Sequence, residues 1–324
     1  MSAATLWVVS PSYKDVPSFT MLRARIRQEV AVSSEVLSYR VRFVLVDDTA
    51  GYDGEVAGLE AFADVTVITP PFNLGHQRAL VYGLRTIAGD LDDVDIVVTM
   101  DADGEDRPED LPRLIAPLLH HPDQLGMLCV ARRTKRSESL RFKIFYLFFK
   151  LMFRSLTGNN VRSGNYAAYR GWLARRMLAH PYFDLCYSAT LVSLDLSVTA
   201  VPCARGTRYA GSSRMNMLRL FMHGVRMLMP FTDRIAVRAL AAFTITFGLG
   251  VVMACVVLGL RLFSSLAIPG WTTFTLLGVL ILSIVALGNF VVLFVVFSHS
   301  RGISLANLEE WNVGDLRITP SAPD

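Results

Sequence analysis

Two long uncharged stretches break the pattern of the chain near its carboxyl end. Residues 239–260 carry no charge, and after Arg261 none appears until His299. Each stretch is long enough to cross a bilayer as a helix, which predicts spans over about 236–260 and 271–297. The ten residues between them hold a Pro269-Gly270 turn signal, so the spans form an antiparallel hairpin. Earlier in the chain the pattern is different. Short β-branched runs at 6–9, 43–46, 65–68 and 95–100 alternate with helical periods at 19–33 and 76–88. That alternation predicts an α/β domain with a mainly parallel, Rossmann-like sheet and helices on both faces. In such sheets ligands bind beyond the carboxyl ends of the strands. Polar residues collect at those ends: Pro11, Tyr13 and Asp15 after the first run, Asp47 and Asp48 after the second, and Asp101-Ala102-Asp103-Gly104-Glu105-Asp106 after the fourth.

The chain has 324 residues, 52% of them hydrophobic, and a formal net charge of +4. This is too apolar for an ordinary soluble enzyme. The positive charge is local: between Arg132 and Arg154 stand eight basic residues against Glu138 alone. Within the otherwise apolar segment 140–156, Lys143, Lys150 and Arg154 fall within about 40° of one another on a helix. Such a helix suits a membrane interface. Residues 214–230 repeat the idea, with Arg219, His223 and Arg226 set apart from Met215, Leu218, Met222 and Met229. The competing reading is two buried helices whose charges cap or snorkel. Arg226, Arg234 and Arg238 precede the first span and Arg301 follows the second, against Arg261 in the connection, which predicts that the domain ahead of the spans is cytoplasmic. The first residues lack a basic segment and a long apolar core, so no signal peptide is expected. The four cysteines have no CxxC spacing and are read as reduced thiols. Asn289, deep in the second span, is expected to bond across the hairpin or between subunits of a homo-oligomer.

The domain plan is therefore a cytoplasmic domain over 1–213, a juxtamembrane helix over 214–235, two spans within 236–298, and a cytoplasmic tail over 299–324. The protein is expected in the inner (plasma) membrane, multi-pass, with no nucleic-acid partner.

Hard oxygen ligands hold a divalent cation, and a cation so held can stabilise negative charge on a bound or departing phosphate. Asp101 and Asp103 fall on one side of an extended segment, and Glu105 continues the alternation. A DxD triplet alone is equally well a solvated acidic turn.

Four segments in order resemble family 2 glycosyltransferases with the GT-A fold. They are Val8-Val-Ser-Pro11-Ser-Tyr13-Lys-Asp15, Val46-Asp47-Asp48, Asp101-Ala-Asp103-Gly-Glu105-Asp106-Arg-Pro108-Glu109, and Arg208-Tyr-Ala-Gly211-Ser212-Ser-Arg214. The last two resemble the polyprenyl-phosphate branch, typified by dolichol-phosphate mannosyltransferase. The resemblance implies a nucleotide-sugar site of Pro11, Tyr13, Asp15, Asp47, Asp48, Asn73, Asp101, Ala102, Asp103, Arg208, Ser212 and Arg214. It implies Mg²⁺ or Mn²⁺ among Asp101, Asp103 and Glu105, and an acceptor phosphate met by Arg133 and Arg136. Asp101, Asp103, Arg133, Arg136 and Arg208 are the expected catalytic set. In this chain Glu105 stands where the motif has Gln, and His76 where many relatives place Lys.

The Thr-Glu-Asp and Gln-x-x-Arg-Trp motifs of hydroxyl-glycosylating relatives are missing from the sequence. A phosphate acceptor is already an anionic nucleophile and needs no general base. Inverting transfer of a hexose or N-acetylhexosamine from a UDP- or GDP-sugar to a polyprenyl phosphate is the expected reaction. Two alternatives stay open: a membrane enzyme using a hydroxyl acceptor, with Asp184 as base, and a catalytically silent nucleotide-binding scaffold.

Overall fold

The structure is a computed structural model, and it describes residues 4–34, 36–133, 140–159, 165–180, 182–194, 196–209, 217–264 and 270–299. It divides into two compact units. The larger contains β1 (Thr5–Ser12), α1 (Val16–Val32), β2 (Arg40–Asp47), β3 (Val65–Ile68), α2 (His76–Ile87), β4 (Ile96–Thr99), α3 (Leu111–His120), β5 (Met127–Arg133), most of α4 (Leu140–Thr157), β6 (Ala167–Arg170), α5 (Gly171–Met177), α6 (Tyr187–Ser193), β7 (Ser197–Cys203) and α7 (Met217–Leu228).

Seven strands form one sheet in the order β3-β2-β1-β4-β6-β5-β7. Every pairing is parallel except those of β6, which runs against β4 and β5. The mainly parallel α/β architecture expected from the sequence is thus present. Successive side chains of β1 serve opposite faces: Leu6 and Val8 pack with Phe19, Leu22 and Ile26 of α1 and Leu114 and Leu118 of α3. Trp7 and Val9 pack with Leu80, Leu84 and Ile87 of α2 and with Tyr187 of α6. Burial on both faces is why these strands read as continuous apolar runs rather than alternating ones. Gly83 lets α2 press onto the sheet, since a Cβ there would sit 2.6 Å from Val46 Cγ2.

β1 is longer than its apolar run suggests, and it carries Pro11 opposite Val46. The Ser12 carbonyl accepts from Asp48 N–H on the β2 side, so by alternation Pro11 faces the β4 side. There the ladder closes with Met100 N–H donating to the Val9 carbonyl (3.2 Å). Pro11, with no N–H to return to Met100, marks the place where pairing to β4 stops.

The smaller unit comprises the described residues within Met152–Gly158 and Phe231–Gly302. Its two main helices are α8 (Thr232–Phe263) and α9 (Trp271–His299). Both are long and apolar enough to cross a membrane, and their most apolar windows are only 11% and 6% buried, unlike the core helices of soluble domains. A Met229–Phe231 turn containing Pro230 separates α7 from α8. Gly250 approaches Val279, whose Cγ1 would lie 3.4 Å from an added Cβ. Asn289 donates to the Val285 carbonyl one turn earlier in its own helix (3.0 Å), rather than bonding across the hairpin. The last turn of α4 is fastened by Phe153 against Phe231, edge to face at 5.4 Å. Arg238 donates to the Arg154 and Ser155 carbonyls, a cation on a helix carboxyl end.

Candidate active site

At the carboxyl end of β2 the chain turns on two carboxylates. Asp47 is buried, and its oxygens accept from the N–H and hydroxyl of Thr49 (3.0 and 2.6 Å) and from Gly51 N–H (3.1 Å). Asp48 reaches instead to the segment ahead of α2, accepting from the N–H groups of Leu74 (2.7 Å) and Gly75 (3.0 Å). Asn73 Nδ2 donates to the Asp48 carbonyl (2.6 Å) and to its carboxylate. Burial raises the pKa of Asp48, and the two N–H donors only partly offset this. Pro11 is buried at the end of β1, Tyr13 is exposed, and Asp15 directly precedes α1.

Beyond β4 lies the acidic loop. Asp101 Oδ1 is 2.9 Å from His76 Nε2, at the first residue of α2, and accepts from Asn165 Nδ2 at 3.2 Å. Among the described residues nothing donates to Asp101 Oδ2. Asn165 is itself held, since Gln77 donates to its Oδ1 and its carbonyl accepts from Thr99 Oγ1 (2.6 Å). Gln77 Oε1 in turn accepts from Ser188 N–H at the start of α6 (3.0 Å). Ala102 is buried. Asp103 Oδ1 accepts from Glu105 N–H (2.9 Å), and Gly104 takes φ +88 to close that turn.

Three guanidinium groups clamp this loop. Arg208 spans Asp103 Oδ2 (2.8 Å) and Glu105 Oε1 (2.9 Å). Arg205 pairs with Glu105 Oε2 at 2.7 Å. Arg133, the last residue of β5, pairs with buried Asp106 (3.1 Å) and approaches Glu105 at 3.6 Å. Asp106 Oδ2 also accepts the Asp101 backbone N–H (3.0 Å). The segment after β7 is stitched to the same loop, with Gly206 N–H donating to the Glu105 carbonyl (2.9 Å) and Tyr209 N–H to that of Asp103 (2.8 Å).

With all four carboxylates ionised and His76 neutral, the three guanidinium groups would leave one net negative charge. Burial works against ionised Asp101, but His76, Asn165 and Arg133 outweigh it and hold its carboxyl well below the usual range. Burial and the Asp101 charge push Asp106 up to about 7 despite Arg133. Glu105 resists burial through Arg208 and Arg205 and stays below its ordinary value. Asp103 is raised by burial and by Asp101. The protein around His76 disfavours its cation, yet Asp101, Asp106 and Asp103 together raise its pKa.

The structure thus brings Asp101, Asp103, Glu105, Arg133 and Arg208 together, and joins Asp48 to Asn73. Arg136, Ser212 and Arg214 lie outside the described residues. Sequence reasoning gave no site role to Asn165, Gln77, Asp106 or Arg205. Asp106 lies inside the recognised acidic motif and Arg205 just ahead of the one that begins at Arg208, whereas Asn165 precedes β6 with no local signal. Asp184 is bound by Arg85 through Nε and Nη2 at 2.8 and 3.0 Å. Among the described residues no three His, Cys, Asp or Glu side chains converge as a ready metal cage.

The family model for glycosyl transferase family 2 matches residues 8–177, more than half of the chain. The chain is 24% identical over 222 residues to an undecaprenyl-phosphate 4-deoxy-4-formamido-L-arabinose transferase of Yersinia enterocolitica, covering 66% of this chain and 63% of that protein. The transferase of the same name from Salmonella choleraesuis is 27% identical over 227 residues with the same coverage. The chain therefore spans just under two thirds of the length of these curated relatives. Among solved structures, Staphylococcus aureus TarS 1-349 is similar at a TM-score of 0.40 and 12% identity, over 73% of this chain and 64% of that one. The chain belongs to glycosyl transferase family 2.

Proposed function

We propose that the protein transfers a hexose or N-acetylhexosamine from a UDP- or GDP-sugar to a polyprenyl phosphate, with inversion, at the cytoplasmic face of the plasma membrane. The observation that carries this reading is the acidic loop beyond β4, clamped by Arg133, Arg205 and Arg208. Such an array gives an anionic donor and an anionic acceptor cationic partners at the ligand-binding edge of the sheet. The two relatives above act, by their names, on undecaprenyl phosphate, which supports a lipid-phosphate acceptor.

A divalent cation fits the donor set. Asp101 Oδ2 is a hard oxygen with no donor among the described residues, and Asp103 stands two residues on. With Glu105, these residues would hold Mg²⁺ or Mn²⁺, which when bound supplies charge stabilisation to the departing diphosphate. His76 and Asn165 fix one oxygen of Asp101 and so set the direction of the other. Arg208 exchanges its carboxylate partners for phosphate oxygens as the donor enters. Arg133 is placed to meet the acceptor phosphate, whose fork geometry a guanidinium matches. An acceptor phosphate oxygen then bonds to the anomeric carbon as the bond to the diphosphate breaks, and no proton moves. Asp184, tied to Arg85, is not needed as a base.

On this reading α8 and α9 span the bilayer. Leu147, Phe148 and Leu151 of α4 and Phe221, Met222 and Val225 of α7 are exposed apolar side chains suited to lie in its interface. The test uses purified protein in detergent with undecaprenyl phosphate, Mg²⁺ or Mn²⁺, and radiolabelled UDP- and GDP-sugars, formamido- and aminopentoses included. Metal-dependent label in the lipid fraction, lost in Asp103→Ala, is the expected result. Nucleotide-sugar binding without lipid labelling by any donor would reject the acceptor.

A further inference from the structure

We infer that Gln77 is a positioning residue: through the amide of Asn165 it fixes the direction in which Asp101 offers Oδ2 to a divalent cation. The inference rests on the reading of Asp101 as a metal ligand. A side-chain amide can be turned end for end in its place, and only its neighbours decide which end is oxygen. Here the decision starts from a group that cannot be turned. The Ser188 N–H can only donate, and it meets Gln77 Oε1 at 3.0 Å. Cys186 Sγ, a second and weaker donor, lies 3.8 Å from the same oxygen. Gln77 therefore directs its NH2 group the other way, where it donates to Asn165 Oδ1. That in turn commits the Asn165 NH2 group to the acidic loop, where Nδ2 lies 3.2 Å from Asp101 Oδ1 and 2.5 Å from His76 Nε2.

An Asn165 amide turned the other way would face Asp101 oxygen to oxygen, and the carboxylate would have to swing aside. The backbones on both sides are held. Thr99 Oγ1 donates to the Asn165 carbonyl (2.6 Å), and the Asp101 N–H donates to Asp106 (3.0 Å). Gln77 has a structural task as well. Cys186, the N-cap of α6, makes no side-chain cap bond, and Ser188 N–H lies in the first turn, where no helical carbonyl serves it. One side chain thus ties the starts of α2, β6 and α6 to the loop after β4. The two tasks separate chemically: capping α6 needs only an oxygen at residue 77, whereas turning Asn165 needs an NH2 group at the other end. Glutamate supplies the first and not the second.

The full-length protein in detergent is titrated with Mn²⁺ in the presence of UDP and of GDP, and bound ion is read by electron paramagnetic resonance. The parent is compared with Gln77→Ala, Gln77→Glu, Asn165→Ala and the Gln77→Ala/Asn165→Ala double variant. Each single variant should weaken Mn²⁺ binding by about tenfold, the scale of groups that orient a metal ligand from behind. Because Gln77 acts through Asn165, the double variant should bind within about twofold of Asn165→Ala alone. Gln77→Glu keeps the cap on α6 and adds a negative charge that by itself would draw a cation in, so weaker binding there reports the turned amide. Binding by Gln77→Glu equal to that of the parent, or single losses that add in full in the double variant, would mean a capping role only and overturns the inference. If Gln77→Ala is unfolded by circular dichroism, Gln77→Glu decides. Mn²⁺ bound equally by the parent and all variants overturns the inference and leaves the proposed function standing. No Mn²⁺ bound by the parent with either nucleotide overturns the metal reading and the inference with it.

Discussion

His76 Nε2 stands 2.9 Å from Asp101 Oδ1, so the first residue of α2 orients a carboxylate that lies just beyond β4. His76→Ala should lower the rate of sugar transfer about tenfold or more, equivalent to roughly 1.4 kcal/mol of barrier. His76→Gln keeps an N–H donor and should retain more of the rate. Single-turnover transfer to undecaprenyl phosphate separates the two variants, and equal losses would show that the contact with Asp101 is immaterial.

Gly104 holds φ +88 beneath the ring of Tyr209, and a Cβ there would fall 2.7 Å from Tyr209 Cε1. Gly104→Ala should destabilise the loop by about 1–3 kcal/mol through backbone strain and overlap. Adding Tyr209→Ala removes the overlap and leaves the strain. Thermal melting of the single and double variants should therefore show partial recovery.

Asp48 satisfies two backbone N–H groups that lead into α2. Asp48→Ala strips both of their acceptor and should cost about 2–3 kcal/mol, since unmade buried hydrogen bonds carry a full desolvation penalty. Asp48→Asn keeps one acceptor oxygen and should cost less. Denaturant titration measures both, and a loss below about 0.5 kcal/mol in the alanine variant would contradict the assignment.

Burial alone would raise the Asp64 carboxyl, but hydrogen bonds from Arg23 and then Arg27 bring it below its ordinary 3.8. A lowered folded pKa means that this stabilisation is fully present above about pH 4 and fades as pH falls through the folded value. Asp64→Asn should be less stable than the parent at pH 7 by about 1–2 kcal/mol. The gap should close as the pH drops below 3.8, which melting curves from pH 7 to pH 2.5 would register.

Much of the sheet was legible because its strands are buried on both faces and so appear as apolar runs. The acidic loop was legible because its carboxylates are contiguous, and the arginines of 132–136 and 208 because they are clustered or sit in a motif. The partners of these groups were not. Asn165 meets Asp101 from 64 positions away, and Gln77 meets Ser188 from 111 away, pairings that no periodicity records. Asp48 and Asn73 look alike in sequence as ligand contacts, while in the fold each has a protein partner in the other. The extension of β1 through Pro11 was hidden because Pro normally ends a strand. It becomes visible only once the neighbouring strand is seen to stop first.

The reversal of β6 has an evolutionary side. In a sheet whose other strands all run one way, the segments leading out of the strands build the ligand edge and those leading in lie at the opposite end. β6 inverts this: Asn165 at its entrance reaches Asp101, while its exit through Arg170 and Gly171 meets Val94 and Asp95 at the far edge. Residues ahead of β6 can therefore diverge in length and chemistry to retune the pocket, leaving the spacing of every parallel strand untouched.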